Sequence, residues 1–228
     1  MSCKVTWLGH SALAIETGGL NILVDPFFHD NPSAAADPKK VQADFILVSH
    51  GHSDHIGDTI SIAKRTGATV IANVEIAGWL RDRQALKTHG QQPGGGYTHP
   101  FGYLKLTTAI HGSVLPDGSY GGLACGFLLT DKDGRKTYLA CDTGLFGDMG
   151  LIGEEGLDLA FIPIGDNFTM GPDDALRAVK LLKSKVVVPY HYDTWGLIQQ
   201  DPKAWAARVA AETKTEPRLL KPGESVTV

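Results

Sequence analysis

Four metal-binding side chains stand within the six positions His50-Gly51-His52-Ser53-Asp54-His55, directly after the apolar run Phe45-Ile46-Leu47-Val48. A short continuous apolar run reads as a strand buried on both faces. The cluster therefore sits where a strand gives way to a loop, a common place for chemistry on a layered α/β scaffold. Burying so many polar groups costs several kcal/mol unless each is paired. Packing gives no reason for the cluster; a bound metal does.

The chain on either side supplies the layers. Val5 to Leu8, Ala12 to Glu16 and Leu20 to Val24 read as short strands broken by Gly9 and Gly18-Gly19. Phe27 to Lys40 reads as a long loop. After the cluster, Asp54 to Thr66 reads as one helix with Ile56, Ile60 and Ala63 on its apolar face, closed by Gly67. Ala68 to Ala72 is a strand, and Asn73 caps a helix to about Arg83. Strand and helix in alternation imply parallel pairing with helices outside the sheet.

Gln91 to Gly96 reads as a mobile loop; Gly94-Gly95-Gly96 lacks the Lys-Ser/Thr that follows in a phosphate loop. Beyond it, Tyr103 to Ile110, Leu123 to Thr130 and Lys136 to Ala140 are strand-like, the last two joined by a turn ending Asp133-Gly134. Leu157 to Ile164 and Val186 to Val188 read as buried strands. Pro172 to Lys183 reads as a helix, with Asp173 and Asp174 in its first turn and lysines near its end. Pro202 to about Thr213 is a further helix, and Arg218 to Leu220 and Ser225 to Val228 return to strand. The two halves share an order, strands first and βα units later, which suggests a pseudo-duplicated sandwich forming one domain over residues 1–228.

The net charge of −4, with no basic run, argues against a nucleic-acid backbone as partner. No apolar run approaches the roughly 20 residues that span a bilayer. The start, Met1 to Leu8, is too short in apolar residues for a signal peptide, so a cytoplasmic protein without a membrane partner is expected. Cys3, Cys125 and Cys141 form neither a disulfide framework nor a CxxC pair, and read as buried packing.

Three more candidate ligands follow strand-like runs: His111, Asp142 and His191. If the strands are aligned, seven imidazoles and carboxylates meet at one edge of the sandwich. That is too many for one tetrahedral ion and suits two ions sharing a carboxylate, with room for water. Imidazole with carboxylate suits zinc, manganese or iron.

The cluster resembles the HxHxDH signature of the metallo-β-lactamase superfamily, and His111, Asp142 and His191 fall in the order that superfamily uses. Trp7-Leu8-Gly9-His10-Ser11, Leu23-Val24-Asp25-Pro26, Asp166-Asn167-Phe168-Thr169-Met170-Gly171-Pro172 and Pro189-Tyr190-His191-Tyr192-Asp193-Thr194 are similar to a small group of metal-dependent hydrolases akin to the ascorbate-6-phosphate lactonases. The resemblance implies a four-layer αββα sandwich with the site at one edge of its two sheets. It implies that one divalent ion takes His50, His52 and His111, the other Asp54, His55 and His191, with Asp142 bridging. It makes Asp25 a carboxylate that orients the histidine loop; the residues alone also allow a turn-forming Asp before Pro26.

His10 either lines the pocket and polarises substrate or caps a turn. Asp166 to Met170 and Tyr192 to Trp195 are the expected pocket walls, with Asn167, Thr169, Met170, Tyr192 and Trp195 foremost and ordinary core as the alternative for Phe168 and Trp195. His29, His89 and His99 read as surface or hydrogen-bonded histidines. The expected reaction is hydrolysis by a metal-bridging hydroxide, with Asp54 or metal-bound water handling the proton. The resemblance makes a lactone or other cyclic ester the first choice of substrate among small molecules and a phosphodiester the second; a β-lactam ranks lower. A di-iron redox protein and a non-catalytic metal-dependent binding module are the other classes. Edge strands and the Phe27 to Lys40 loop offer surfaces for a homo-oligomer.

Overall fold

Each strand expected to lead into a candidate ligand is present in the computed structural model of the chain, which describes residues 3–228. Met1 and Ser2, which open the stretch weighed as a signal peptide, lie outside the described residues. The first sheet holds β1 (Lys4–Trp7), β2 (Leu13–Thr17), β3 (Leu20–Val24), β4 (Phe45–Leu47), β5 (Thr69–Asn73) and β6 (Thr88–Gln91). The second holds β7 (Gly96–His99), β8 (Gly102–Thr108), β9 (Cys125–Asp131), β10 (Lys136–Leu139), β11 (Leu159–Pro163), β12 (Val186–Tyr190) and β13 (Glu216–Pro217). The last strand, β14 (Ser225–Thr227), returns to the first sheet beside β1. The orders are β14-β1-β2-β3-β4-β5-β6 and β13-β12-β11-β10-β9-β8-β7.

Six α-helices accompany them among the described residues, α1 (Ser53–Ile56), α2 (Thr59–Thr66), α3 (Val74–Gln84), α4 (Met149–Glu154), α5 (Pro172–Leu182) and α6 (Pro202–Glu212), with one 3-10 turn at Gly196–Ile198. Period-two alternation decides which core each strand residue joins. Ile22, Val24, Leu47 and Ile71 point between the sheets. Leu23, Ile46, Val48, Val70 and Ala72 point outward onto Ile62 and Ala63 of α2 and Ile76 and Leu80 of α3. Both faces are buried, which is why these strands are apolar throughout rather than alternating. On the other side, Ala175, Ala178, Val179 and Leu182 of α5 and Trp205 and Val209 of α6 pack on the second sheet. The result is the αββα sandwich, with two mixed sheets inside and helices outside. All three cysteines are free and buried. No helix among the described residues is long and apolar enough to cross a membrane.

The suspected repeat is visible in the topology. β1, β2 and β3 run antiparallel, and β4, β5 and β6 continue from β3 in parallel. In the second sheet β8, β9 and β10 run antiparallel, and β11, β12 and β13 continue in parallel. His10 after β1 thus matches His111 after β8, and Asp25 after β3 matches Asp142 after β10.

Several expectations change. The single helix over Asp54 to Thr66 is two, α1 and α2, separated at Gly57 and Asp58. Gly57 has φ +31°, and a Cβ there would lie 2.6 Å from the Pro26 carbonyl oxygen. Asp58 accepts hydrogen bonds from the backbone N–H groups of Phe28 and His29, both at 2.9 Å, and so ties the break to the long loop. The buried face of α2 is Thr59, Ile62 and Ala63, while Ile60 is only half-buried. Gly57→Ala should cost about 2 kcal/mol through strain and the carbonyl clash; an unchanged urea midpoint would contradict this.

The Gly-rich stretch runs straight into β7, an ordered edge strand, with Gly94 N–H bonded to Leu106 O at 2.7 Å. The strand expected at Arg218 to Leu220 lies earlier, at Glu216–Pro217, and β6 and α4 were not anticipated. His99 is buried on β7, its Nε2 2.9 Å from Gln91 Oε1 and its ring stacked on Phe101. Burial, helped by nearby His89, pushes its pKa down to about 4. An unfolded histidine titrates near 6.5, so on acidification the unfolded chain takes the proton first. Stability from this group is whole above about pH 6.5 and falls as pH drops towards 4, by up to about 3 kcal/mol. His99→Gln should flatten that fall in urea melts across the same window; parallel curves would refute it.

Candidate metal centre

The strand ends meet at one edge of the two sheets, and the chain bends there through left-handed backbone. His10, Asp25, Cys141 and His191 have φ between +43° and +54°. Such conformations cost on the order of 1–3 kcal/mol each and persist where the surroundings over-determine them. Each lies at a candidate ligand or support, or next to one, and turns the chain sharply at the sheet edge.

His50, His52 and His111 form one group. His50 Nε2 lies 2.9 Å from His52 Nδ1, and His111 Nε2 lies 3.3 Å from the same atom. Nitrogens about 2.0–2.1 Å from a tetrahedral zinc lie roughly 3.3 Å apart, so the spacing matches ligands sharing one ion. Asp54, His55 and His191 form a second group, joined by His10. Asp142 lies between the groups. Its Oδ2 is 3.3 Å from His55 Nε2, 3.5 Å from His111 Nε2 and 3.1 Å from His191 Nε2. Yet His55 Nε2, both His191 nitrogens and Asp142 Oδ1 are buried without an aligned hydrogen bond. Close approach without alignment is what donors aimed at a common cation show. Buried polar atoms without partners call for an explanation, and the donor set fits two divalent ions.

Behind the ligands, Asp25 is fully buried. Its Oδ1 accepts from Ser49 N–H at 2.8 Å, and its Oδ2 accepts from Ser49 Oγ at 2.6 Å and faces His55 Nδ1 at 2.8 Å. Ser49 Oγ, having donated to Asp25, accepts from His50 Nδ1 at 2.9 Å. One carboxylate thus selects the tautomer of an imidazole in each group and leaves both Nε2 lone pairs facing inward.

Burial holds the His50 pKa well below its usual value, so that ring is neutral and able to donate its lone pair. For His55, burial also disfavours charge, but Asp142 and Asp25 outweigh it and hold the pKa well above the usual value. A cation at its Nε2 would replace that proton. Burial alone would raise Asp142; the imidazoles of His191 and His55 overcome it and keep the carboxyl far below the ordinary range.

His10 is buried behind Asp54, its Nε2 3.2 Å from Asp54 Oδ2 and its Nδ1 2.8 Å from Thr194 Oγ1. It does not line the cleft. Burial lowers its pKa to about 4, with His191 adding to the effect. Burial would raise Asp54, but the hydrogen bond from His10 leads the opposing effects and holds that carboxyl down.

A cleft of about 860 Å³ opens over these groups. Of the five foremost wall residues, Trp195 lines it. Met170 and Tyr192 are buried instead, Tyr192 against Trp7, while Asn167 is exposed and Thr169 half-buried on the neighbouring loop. The turn carries Phe168 rather than its neighbours to the cleft, because Asp166 and Asn167 both adopt left-handed φ. Sequence reasoning missed Phe27, His29, Asp30 and Leu197 as wall residues. The first three follow Asp25-Pro26 at the end of β3, and that position was the available signal.

The pattern of known proteins agrees with this geometry. The profile of the Beta-lactamase superfamily domain matches residues 20–192. A UPF0173 metal-dependent hydrolase of Pelotomaculum thermopropionicum is 48% identical over 228 residues, covering 98% of this chain and 99% of that one. Another, from Thermus thermophilus, is 48% identical over 221 residues, with 97% of each chain covered. Among solved structures, Igni18, a metallo hydrolase from the archaeon Ignicoccus hospitalis, superposes with a TM-score of 0.91 at 35% identity, covering 100% of this chain and 99% of that one. The chain belongs to the metallo-β-lactamase superfamily and, within it, to the UPF0173 metal-dependent hydrolases.

Proposed function

We propose that the chain is a dinuclear hydrolase that cleaves a small-molecule ester-type bond, with a lactone as the leading substrate class. The observation that carries this is Asp142 Oδ2, within 3.1–3.5 Å of imidazole nitrogens from both donor groups at once. Two divalent ions, zinc first and manganese or iron next, would be held by His50, His52 and His111 and by Asp54, His55 and His191, with Asp142 shared. When bound, they would supply Lewis acidity toward the substrate oxygen and lower the pKa of water.

The chain's own residues do the rest. Asp25 and Ser49 fix the rings of His50 and His55. Asp54 lines the cleft, and its lowered pKa keeps it ionised, so it serves as an acceptor that orients a water proton rather than as an acid. His10, held by Thr194, fixes the Asp54 carboxylate from behind and is a positioning residue. A cysteine nucleophile has no support: all three thiols are buried, and burial raises the pKa of each.

Metal content per chain, measured by plasma emission, should be two ions. Protein so loaded should hydrolyse members of a lactone panel faster than bis(nitrophenyl) phosphate. Turnover of the phosphodiester alone would move the assignment to a phosphodiesterase, and no turnover on either panel would overturn the hydrolase reading.

A further inference from the structure

We infer that the cleft contains a preformed apolar subsite, and that the substrate is a neutral ester or lactone carrying an apolar arm rather than a phosphorylated one. The inference rests on the hydrolase reading for the reacting end only; the subsite stands on its own wall.

Phe27, Phe168, Trp195 and Leu197 line the cleft beside the ligand cluster. Three of them are strongly exposed: Phe168 at 51%, Trp195 at 38% and Leu197 at 70%. Large apolar groups gathered in the open around a concave site mark a surface that something apolar covers.

They are also held there by built turns rather than by loose chain. Asp166 and Asn167 are consecutive left-handed residues. Asp166 N–H bonds to Met170 O at 3.1 Å, Met170 N–H to Thr143 O at 3.0 Å, and Phe168 N–H to Asp166 O. A Cβ on Gly171 would sit 2.9 Å from Asp166 Cγ, so the turn closes tightly. In the second loop, Asp193 is left-handed, its N–H bonds to Ile198 O at 2.9 Å, and its Oδ1 accepts from Gln200 N–H at 2.9 Å. Trp195 leans on buried His10, with ring centroids 4.7 Å apart, and faces Phe27 at 6.3 Å. Strained turns fixed by several hydrogen bonds, each carrying an exposed apolar side chain to the same cleft, are a pre-organised surface.

The charges in the wall weigh against the other class. Among the described residues, no lysine or arginine lines the cleft. The charged groups beyond the ligand cluster are carboxylates: Asp58, occupied by the Phe28 and His29 N–H groups, and Asp30, 3.8 Å from His29. A pendant phosphate is favoured by arginine or lysine donors, and beyond the ligand cluster this wall offers His29 and two carboxylates instead. A phosphorylated sugar lactone therefore does not suit this wall, whereas an alkyl or aryl arm does.

The test uses binding and turnover separately. Decanamide, neutral and without an ester, is titrated against metal-loaded protein while tryptophan fluorescence is followed. A saturable blue shift of the emission is expected, lost in Trp195→Phe, and its midpoint weakened at least about tenfold in Leu197→Asp, whose exposed site leaves folding unthreatened. In metal-loaded protein, kcat/KM should rise about two- to fourfold per methylene from γ-butyrolactone towards γ-decalactone, mainly through KM. Glucono-δ-lactone 6-phosphate should trail both. Equal affinity of wild type and Leu197→Asp for decanamide, or a phosphorylated lactone turned over as well as γ-decalactone, overturns the subsite and leaves the hydrolase reading intact. Decanamide binding as expected without turnover of any ester supports the subsite and removes the hydrolase reading.

Discussion

Asp142→Ala is expected to lower turnover by on the order of a thousandfold and to reduce bound metal from two ions per chain to one or none. Among the described residues, Asp142 Oδ2 is the oxygen that approaches imidazoles of both groups. The carboxyl is buried and held ionised by His191 and His55, with burial working against it. Removing it leaves imidazoles of the two groups facing one another with no carboxylate between them, and cations bound there would repel more strongly. Asp142→Asn keeps the shape and loses the charge, and it should behave nearly as badly. Circular dichroism and a urea melt establish that the variants fold; metal analysis and turnover then decide. A folded Asp142→Ala protein with two ions and ordinary turnover would remove the shared-carboxylate arrangement.

Asp25→Ala should be the most damaging change at a residue that touches no candidate ion. It leaves Ser49 N–H, Ser49 Oγ–H and the His55 Nδ1 proton buried without an acceptor. Breaking a buried charged network from one side costs about 3–5 kcal/mol. The loss should appear in metal-free protein, which separates it from any effect of ligation. Metal affinity should fall a further 10–100-fold, since the rings of His50 and His55 lose their tautomer control. Equal stability of wild type and variant without metal would show that Asp25 is an ordinary turn residue.

The sequence made the ligands legible for a simple physical reason. Buried polar clusters are rare, the first cluster follows an apolar run that reads as a buried strand, and the three later candidates follow strand-like runs in the order the resemblance implies. His50 to His55, His111, Asp142 and His191 stand out by that contrast, and the structure brings all seven together. The wall was harder to read. Phe168 and Leu197 look like core residues in a one-dimensional pattern, and only left-handed turns at Asp166, Asn167 and Asp193 send them outward. Met170 and Tyr192 obey the opposite logic and go inside. The break at Gly57 was hidden because the residues on either side keep helical spacing, while its cause, the Pro26 carbonyl, lies far away in sequence. β7 was hidden because an edge strand needs little apolar patterning.

The donors are divided between the two sheets. His50, His52, Asp54 and His55 follow a strand of the first sheet, and His111, Asp142 and His191 follow strands of the second. Neither group is complete on one sheet, because His111 completes the first group and His191 the second. Ions held there would act as rivets through the interface, and their binding energy would add to the docking of the two halves. Metal affinity then becomes a gauge of how well the halves are seated. A substitution deep between the sheets, far from any ligand, would register at the site as soon as it let one half slide by a fraction of an ångström.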